Sequence, residues 1–269
     1  MAASSLLHRT LRRERLVVIT GLLSVVGLSW AYLLAGAGTM QEMGDMLMPM
    51  SSGPWDLSHS LVMLAMWAVM MAAMMLPSAA PMILLYGTIA RGRNERGEEV
   101  AGSAVFTAGY VAVWATFSLA AVTMQYGLES AALLSPMMET TSVVFAATML
   151  IAAGVYQWTP LKQACLRHCR SPLEFVMTQW REGRRGAFMM GTRHGAYCVG
   201  CCWMLMLLLF VGGVMNLVWI AGLAVYVLVE KLAPAGHWVG RISGLLLIGW
   251  GIATLISVCP DLACITATW

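Results

Sequence analysis

In the stretch "RHGAYCVGCCWMLMLLL", residues 193 to 209, one imidazole and three thiols fall close together: His194, Cys198, Cys201 and Cys202. On a helix, at 100° per residue, Cys198 lies about 40° from His194, Cys201 about 20° the other way and Cys202 about 80° away, so all four share a face. Soft sulfur beside imidazole suits copper(I) first and zinc(II) second, whereas carboxylate-poor surroundings disfavour magnesium and calcium. A helix start near residue 195 adds the macrodipole which, with Arg193, favours thiolate over thiol.

A single straight helix cannot wrap four ligands around one ion. Further donors are expected from "CLRHCRSP", where Cys165 and Cys169 stand four residues apart with His168 adjacent. Two such pairs converging would resemble a closed tetrahedral sulfur site. The competing reading is that buried free cysteines are only small apolar residues.

Met63, Met66, Met70 and Met74 form a second pattern, lying within about 80° of helix face with His59 on the same face. Thioethers bind copper(I) without losing a proton, so such a ladder would suit passage of a soft cation, while a packed methionine core is the plainer alternative. The segment "TMQEMGDMLMPMSSGPWD" adds Met40, Met43, Met46, Met48 and Met50 with Glu42 and Asp45, a composition suited to capturing a soft metal.

The elements that must position these residues follow from composition. The chain has 269 residues, 59% hydrophobic and 11% charged, with a mean hydropathy of +0.75, far from an ordinary soluble domain. The reading is an all-α, polytopic transmembrane helix bundle forming one integral membrane domain over residues 1–269. Since roughly 20 apolar residues cross a bilayer as helix, seven spans are expected near 16–36, 60–81, 101–124, 138–157, 195–212, 214–230 and 241–259. If the first is a cleavable leader, six remain.

All sixteen Lys and Arg residues lie before the first span, between the second and third, between the fourth and fifth, or around the turn joining the last two. The excess of basic residues on cytoplasmic loops then puts the N-terminus inside and the C-terminus outside. Residues 37–59 become a Met-rich extracytoplasmic loop. Residues 158–193 become a cytoplasmic basic loop with a Cys pair, whose Phe175, Val176, Met177 and Trp180 would suit a helix on the inner membrane surface or an ordinary solvated loop. Pro77 and Pro81 are expected to kink or locally open the second span. Gly236, Gly240 and Gly244 suggest close helix packing, Cys259 and Cys264 an outer disulfide. Glu230 and Lys231 read as a charge pair marking the end of the sixth span.

"MMAAMMLPSAAPM", "YQWTPLKQACLRHCRSPL", "GTRHGAYCVGCCWMLM" and "GVMN...VEK" resemble an uncharacterised bacterial family described as predicted metal-binding integral membrane proteins, a domain of unknown function. The resemblance covers most of residues 60 to 231. On matching positions it directs attention to Met70, Met71, Met74, Met75 and Pro77, to Tyr156, Gln157, Pro160, Lys162, Cys165, Cys169 and Pro172, and to His194, Cys198, Cys201, Cys202, Met206, Asn216, Glu230 and Lys231.

The functional expectation is therefore a multi-pass protein of the bacterial plasma (inner) membrane that binds copper(I), or else zinc, for transport or delivery. Its metal ligands would come from Cys165, Cys169, His194, Cys198, Cys201, Cys202, His59, Met63, Met66, Met70 and Met74. Its partners would be the lipid bilayer, the metal ion and a metal-delivery or accessory protein, not nucleic acid. No catalytic residue is assigned, and no GxxxxGK[ST] motif for nucleotide-driven transport occurs. The alternatives are a membrane thiol-disulfide oxidoreductase and an assembly or scaffold subunit.

Overall fold

The computed structural model describes residues 2–36, 40–43, 46–49, 55–135 and 138–258. In chain order the helices are α1 (Ala2–Leu34), α2 (Leu57–Asn94), α3 (Ser103–Ser130), α4 (Val143–Tyr156), α5 (Pro160–Arg170), α6 (Pro172–Gln179), α7 (Gly183–Leu207), α8 (Leu209–Gly212), α9 (Leu217–Leu232) and α10 (Gly236–Val258). An antiparallel hairpin, Met40–Met43 against Met46–Pro49, stands between α1 and α2, so part of the expected Met-rich loop pairs as strands. Met50, Cys259 and Cys264 lie outside the described residues, and the expected disulfide with them.

Among the described residues five helices are long and apolar enough to cross a membrane, and six if the bent pair α4–α5 counts as one span. The seven-span expectation differs at α9, whose 16 residues rise only about 24 Å, short of the roughly 30 Å of a hydrocarbon core. At the α4–α5 junction the axis bends by 64°, because Thr159 caps a new helix through Lys162 N and Pro160 occupies its first turn.

Local sequence explains most other boundaries. Asp56 caps α2 by accepting from His59 N at 2.7 Å, Ser142 caps α4 and Asn216 caps α9. Helix α2 is assigned without interruption through Pro77 and Pro81 rather than opening there. Beside those prolines Ala73, Leu76 and Ala79 are buried, whereas Pro77 is half-buried and Pro81 exposed.

The core is centred on α2, and α3 packs on α7 at unusually short range. A Cβ on Gly109 would reach the Phe188 carbonyl, and one on Gly191 the Phe106 carbonyl, far inside van der Waals contact. Only glycine lets these backbones meet. On α10, Gly244 packs closely, though less tightly, on Gly154 of α4, and Gly240 lies against the Glu230 carboxylate. Helix α6 buries Phe175 and Val176 in the core and leaves Leu173 and Met177 exposed.

Candidate metal centre

The first correction concerns the start of α7. The helix begins at Gly183, eleven residues before His194, because Arg, Ala and Met are good helix formers that extend it upstream of the apolar run. Cys198 therefore sits in mid-helix, where its amide belongs to the ladder and the macrodipole supplies no thiolate-favouring end.

The charged partner of Cys198 is a side chain read from sequence as a mere boundary. Lys231, at the end of α9, is buried, and its Nζ donates to Cys198 Sγ at 2.8 Å and to Ser78 Oγ of α2 at 3.1 Å. Tyr110 of α3 places its hydroxyl 3.1 Å from the same sulfur and 3.2 Å from the Met75 carbonyl. Four helices thus converge on Cys198, with the Lys231 ammonium 2.8 Å from its sulfur.

Its neighbour Glu230 is also fully buried and bridges to Lys162 Nζ of α5 at 2.8 and 2.9 Å through its two carboxylate oxygens. Tyr226 and Ser243 share a 2.5 Å hydrogen bond beside it. Adjacent residues of α9 therefore hold both cysteine-bearing helices, Glu230 gripping α5 and Lys231 gripping Cys198 of α7. The Arg170 guanidinium adds bonds to the carbonyls of Ala233 and Pro234, and the Tyr156 hydroxyl binds the Gly200 carbonyl.

So tethered, α5 presents its thiols to α7. Cys169 and Cys201 approach to 4.0 Å between sulfurs, and a Cβ on Gly200 would lie 2.7 Å from Cys165 Sγ. With metal–thiolate bonds of about 2.3 Å, two sulfurs on one ion stand about 3.8 Å apart at the tetrahedral angle and about 4.6 Å apart when linear, so 4.0 Å fits either soft ion. Cys202 meets Met75 Sδ of α2, also at 4.0 Å.

Among the described residues no three His, Cys, Asp or Glu side chains already stand as a ligand group for a metal. The cause is visible in the thiols: Cys201 and Cys202 both turn back to donate to the Cys198 carbonyl, at 3.1 and 3.0 Å. Rotation about χ1 would release them. His194 is buried between Phe106, Tyr110 and Phe175, and its Nδ1 finds no hydrogen-bond partner among the described residues, a costly state for a buried nitrogen that a ligand would relieve. His168 behaves differently: it is exposed, its ring stacked on Tyr197 at 4.3 Å.

The methionine stripe is buried as a whole. Met63, Met66, Met70 and Met74 are at most 1% exposed, but so are Met71 and Met75. The buried face of α2 is thus wider than the stripe, and Met75 rather than Met74 reaches the cysteines. His59 stays at the partly exposed start of α2, edge-on to Trp55 at 4.9 Å. Residues not read as site members from the motifs alone are Tyr110, Ser78, Met75, Lys162, Glu230 and Lys231; the family resemblance had pointed to the last three and to Met75.

A search of curated proteins found no match, and neither did a search of solved structures. A family model described as "Copper chaperone" matches residues 64–254, a range containing every buried cysteine, Lys231 and all but the first member of the methionine stripe. The chain therefore belongs to this PpoB2 family of copper chaperones.

Proposed function

We propose that the chain is an integral membrane protein that carries copper(I) as cargo and delivers it from the Cys198-centred cluster. The observation that carries this reading is the convergence on Cys198: a paired ammonium, thiols of Cys169, Cys201 and Cys202, the Met75 thioether next to Cys202, and an unsatisfied His194 nitrogen. Thiolate, thioether and imidazole form a donor set for a soft monovalent ion. The excess of donors over what one ion needs suits a carrier, since ligands can be exchanged one at a time.

In this reading the helices cross the plasma membrane with the N-terminus inside, and residues 37–59 lie outside. The ion enters among the thioethers of α2 and is received by the cysteines. Lys231 holds the Cys198 sulfur while the site is empty; as the copper–sulfur bond forms that hydrogen bond is given up, the ammonium remains with Ser78, and Cys201 and Cys169 approach the ion as neutral thiols with their protons retained.

The test is anaerobic loading of detergent-purified protein with copper(I), followed by metal analysis and X-ray absorption, wild type beside Cys198→Ser. Tightly held copper with sulfur scattering, lost in the variant, is expected; zinc in its place, or equal copper in both proteins, would overturn the reading. The 4.0 Å approach of Cys169 to Cys201 also favours a thiol–disulfide reading, for which an oxidant-induced crosslink between these two residues in cells is the distinguishing result.

A further inference from the structure

At the other end of α2 a second group of soft donors surrounds one atom. Gln125 of α3 is fully buried. Its Nε2 lies 3.5 Å from Met63 Sδ, 3.4 Å from Met138 Sδ and 2.8 Å from Glu129 Oε1. The orientation of the amide is fixed, because its oxygen accepts from Trp67 Nε1 at 2.8 Å, which only oxygen can do. Three acceptors from three segments therefore face a nitrogen with two hydrogens, so one acceptor has no proton to receive.

Two features suggest that this crowding is held in place. Met138 has φ 56°, a left-handed conformation that a non-glycine residue adopts at a cost and that gathers at functional positions. Its backbone is pinned by donation from Met138 N to the Ser135 carbonyl and from Val214 N to the Met138 carbonyl. The second oxygen of Glu129 accepts from Trp55 Nε1 at 2.8 Å. Met63 is buried, whereas Glu129 and Met138 are only partly so.

We infer that Met63, Met138 and Glu129 form a second site for a soft monovalent cation, with the Gln125 amide standing where the ion binds. The charge balance selects the ion. Two neutral thioethers and one carboxylate neutralise a single positive charge, so copper(I) or silver(I) gives a neutral centre and a divalent ion leaves excess charge in an apolar setting. Methionine has three rotatable bonds, and the sulfurs need close by only about 1 Å from their present positions to reach a soft-metal bond of about 2.3 Å. From Met63 to Met75 α2 rises about 18 Å, so this site and the cysteine cluster are distinct. The inference deepens the copper-carrier reading by naming where the ion first enters.

The experiment is anaerobic titration with silver(I) against a competing chelator, using the full chain in detergent, for wild type, Met63→Leu/Met138→Leu and Cys198→Ser. Leucine matches methionine in volume, and circular dichroism with gel filtration checks folding. The expected result is that the double leucine variant loses one equivalent and keeps the Cys198-dependent one, while Cys198→Ser loses the latter and keeps the former. An unchanged stoichiometry in the folded double variant overturns the inference whatever Cys198→Ser does. Loss of binding in Cys198→Ser alone would count for the cysteine centre and against this one.

Discussion

The buried pair Lys162–Glu230 offers the sharpest test of how α5 is held against its neighbours. At 2.8 Å the Coulomb attraction is about 6 kcal/mol at an effective dielectric near 20. Dehydrating the two ions costs several kcal/mol each, and the Arg170 contacts to Ala233 and Pro234 and the Tyr156 contact to Gly200 of α7 persist without them. The pair should therefore be close to neutral overall, yet expensive to break by halves. Glu230→Met leaves the Lys162 ammonium buried with no counter-charge, and Lys162→Met does the same to the carboxylate. Each single variant should cost about 3–5 kcal/mol, a fall of roughly 6–20 °C in Tm at about 2–4 °C per kcal/mol. The double variant removes both charges at similar volume and should return to within about 1.5 kcal/mol of wild type. Thermal unfolding in one detergent, followed by helical circular dichroism, reads all three. A double variant no better than the worse single, or singles costing under about 1 kcal/mol, would refute the claim that this is one coupled ion pair in a dry interior.

The contact between α3 and α7 predicts that Gly191→Ala is disruptive although alanine is the better helix former, since its methyl would strike the Phe106 carbonyl; a loss of at least about 1–3 kcal/mol is expected, and unfolding at or above the wild-type temperature would contradict the backbone approach. His168→Ala should leave copper stoichiometry unchanged, because that ring is exposed and stacked on Tyr197, and metal analysis of the purified variant would expose an error here if the copper were lost.

The sequence exposed what depends on a single helix and hid what depends on two. The shared face of His194, Cys198, Cys201 and Cys202 follows from helical period alone, and all four are buried. Whether "CLRHC" meets "CVGCC" depends on two helices and was only an expectation from the sequence; in the structure Cys169 lies 4.0 Å from Cys201. The start of α7 was missed because hydropathy marks where a helix becomes apolar, not where it begins. Lys231 and Glu230 were read as a boundary because a charged pair ending an apolar run has that meaning whenever its partners are unknown. Those partners are 33 and 68 residues away, beyond the reach of any periodicity. The same limit separates Met74 from Met75: both lie on buried faces, and only the position of α7 decides which sulfur meets Cys202.

Charge gives the two candidate centres different characters in the copper-carrier reading. Glu129 carries the only formal charge that faces the Met63–Met138 pair within the hydrogen-bonded group, so an ion there is neutralised by a carboxylate, a hard ligand that holds copper(I) weakly. Around Cys198 the neutralising group is the sulfur itself, and the ammonium of Lys231 must share it with the incoming ion. Along α2 between them stand the thioethers of Met66, Met70, Met71 and Met74, buried and uncharged. An ion on that stretch keeps its charge unpaired in an apolar interior, which is costly. In the proposed carrier reading the methionines would lower a barrier to passage. Ions should be found at the ends and pass through the middle, and the softer, anionic end around Cys198 should hold them longer.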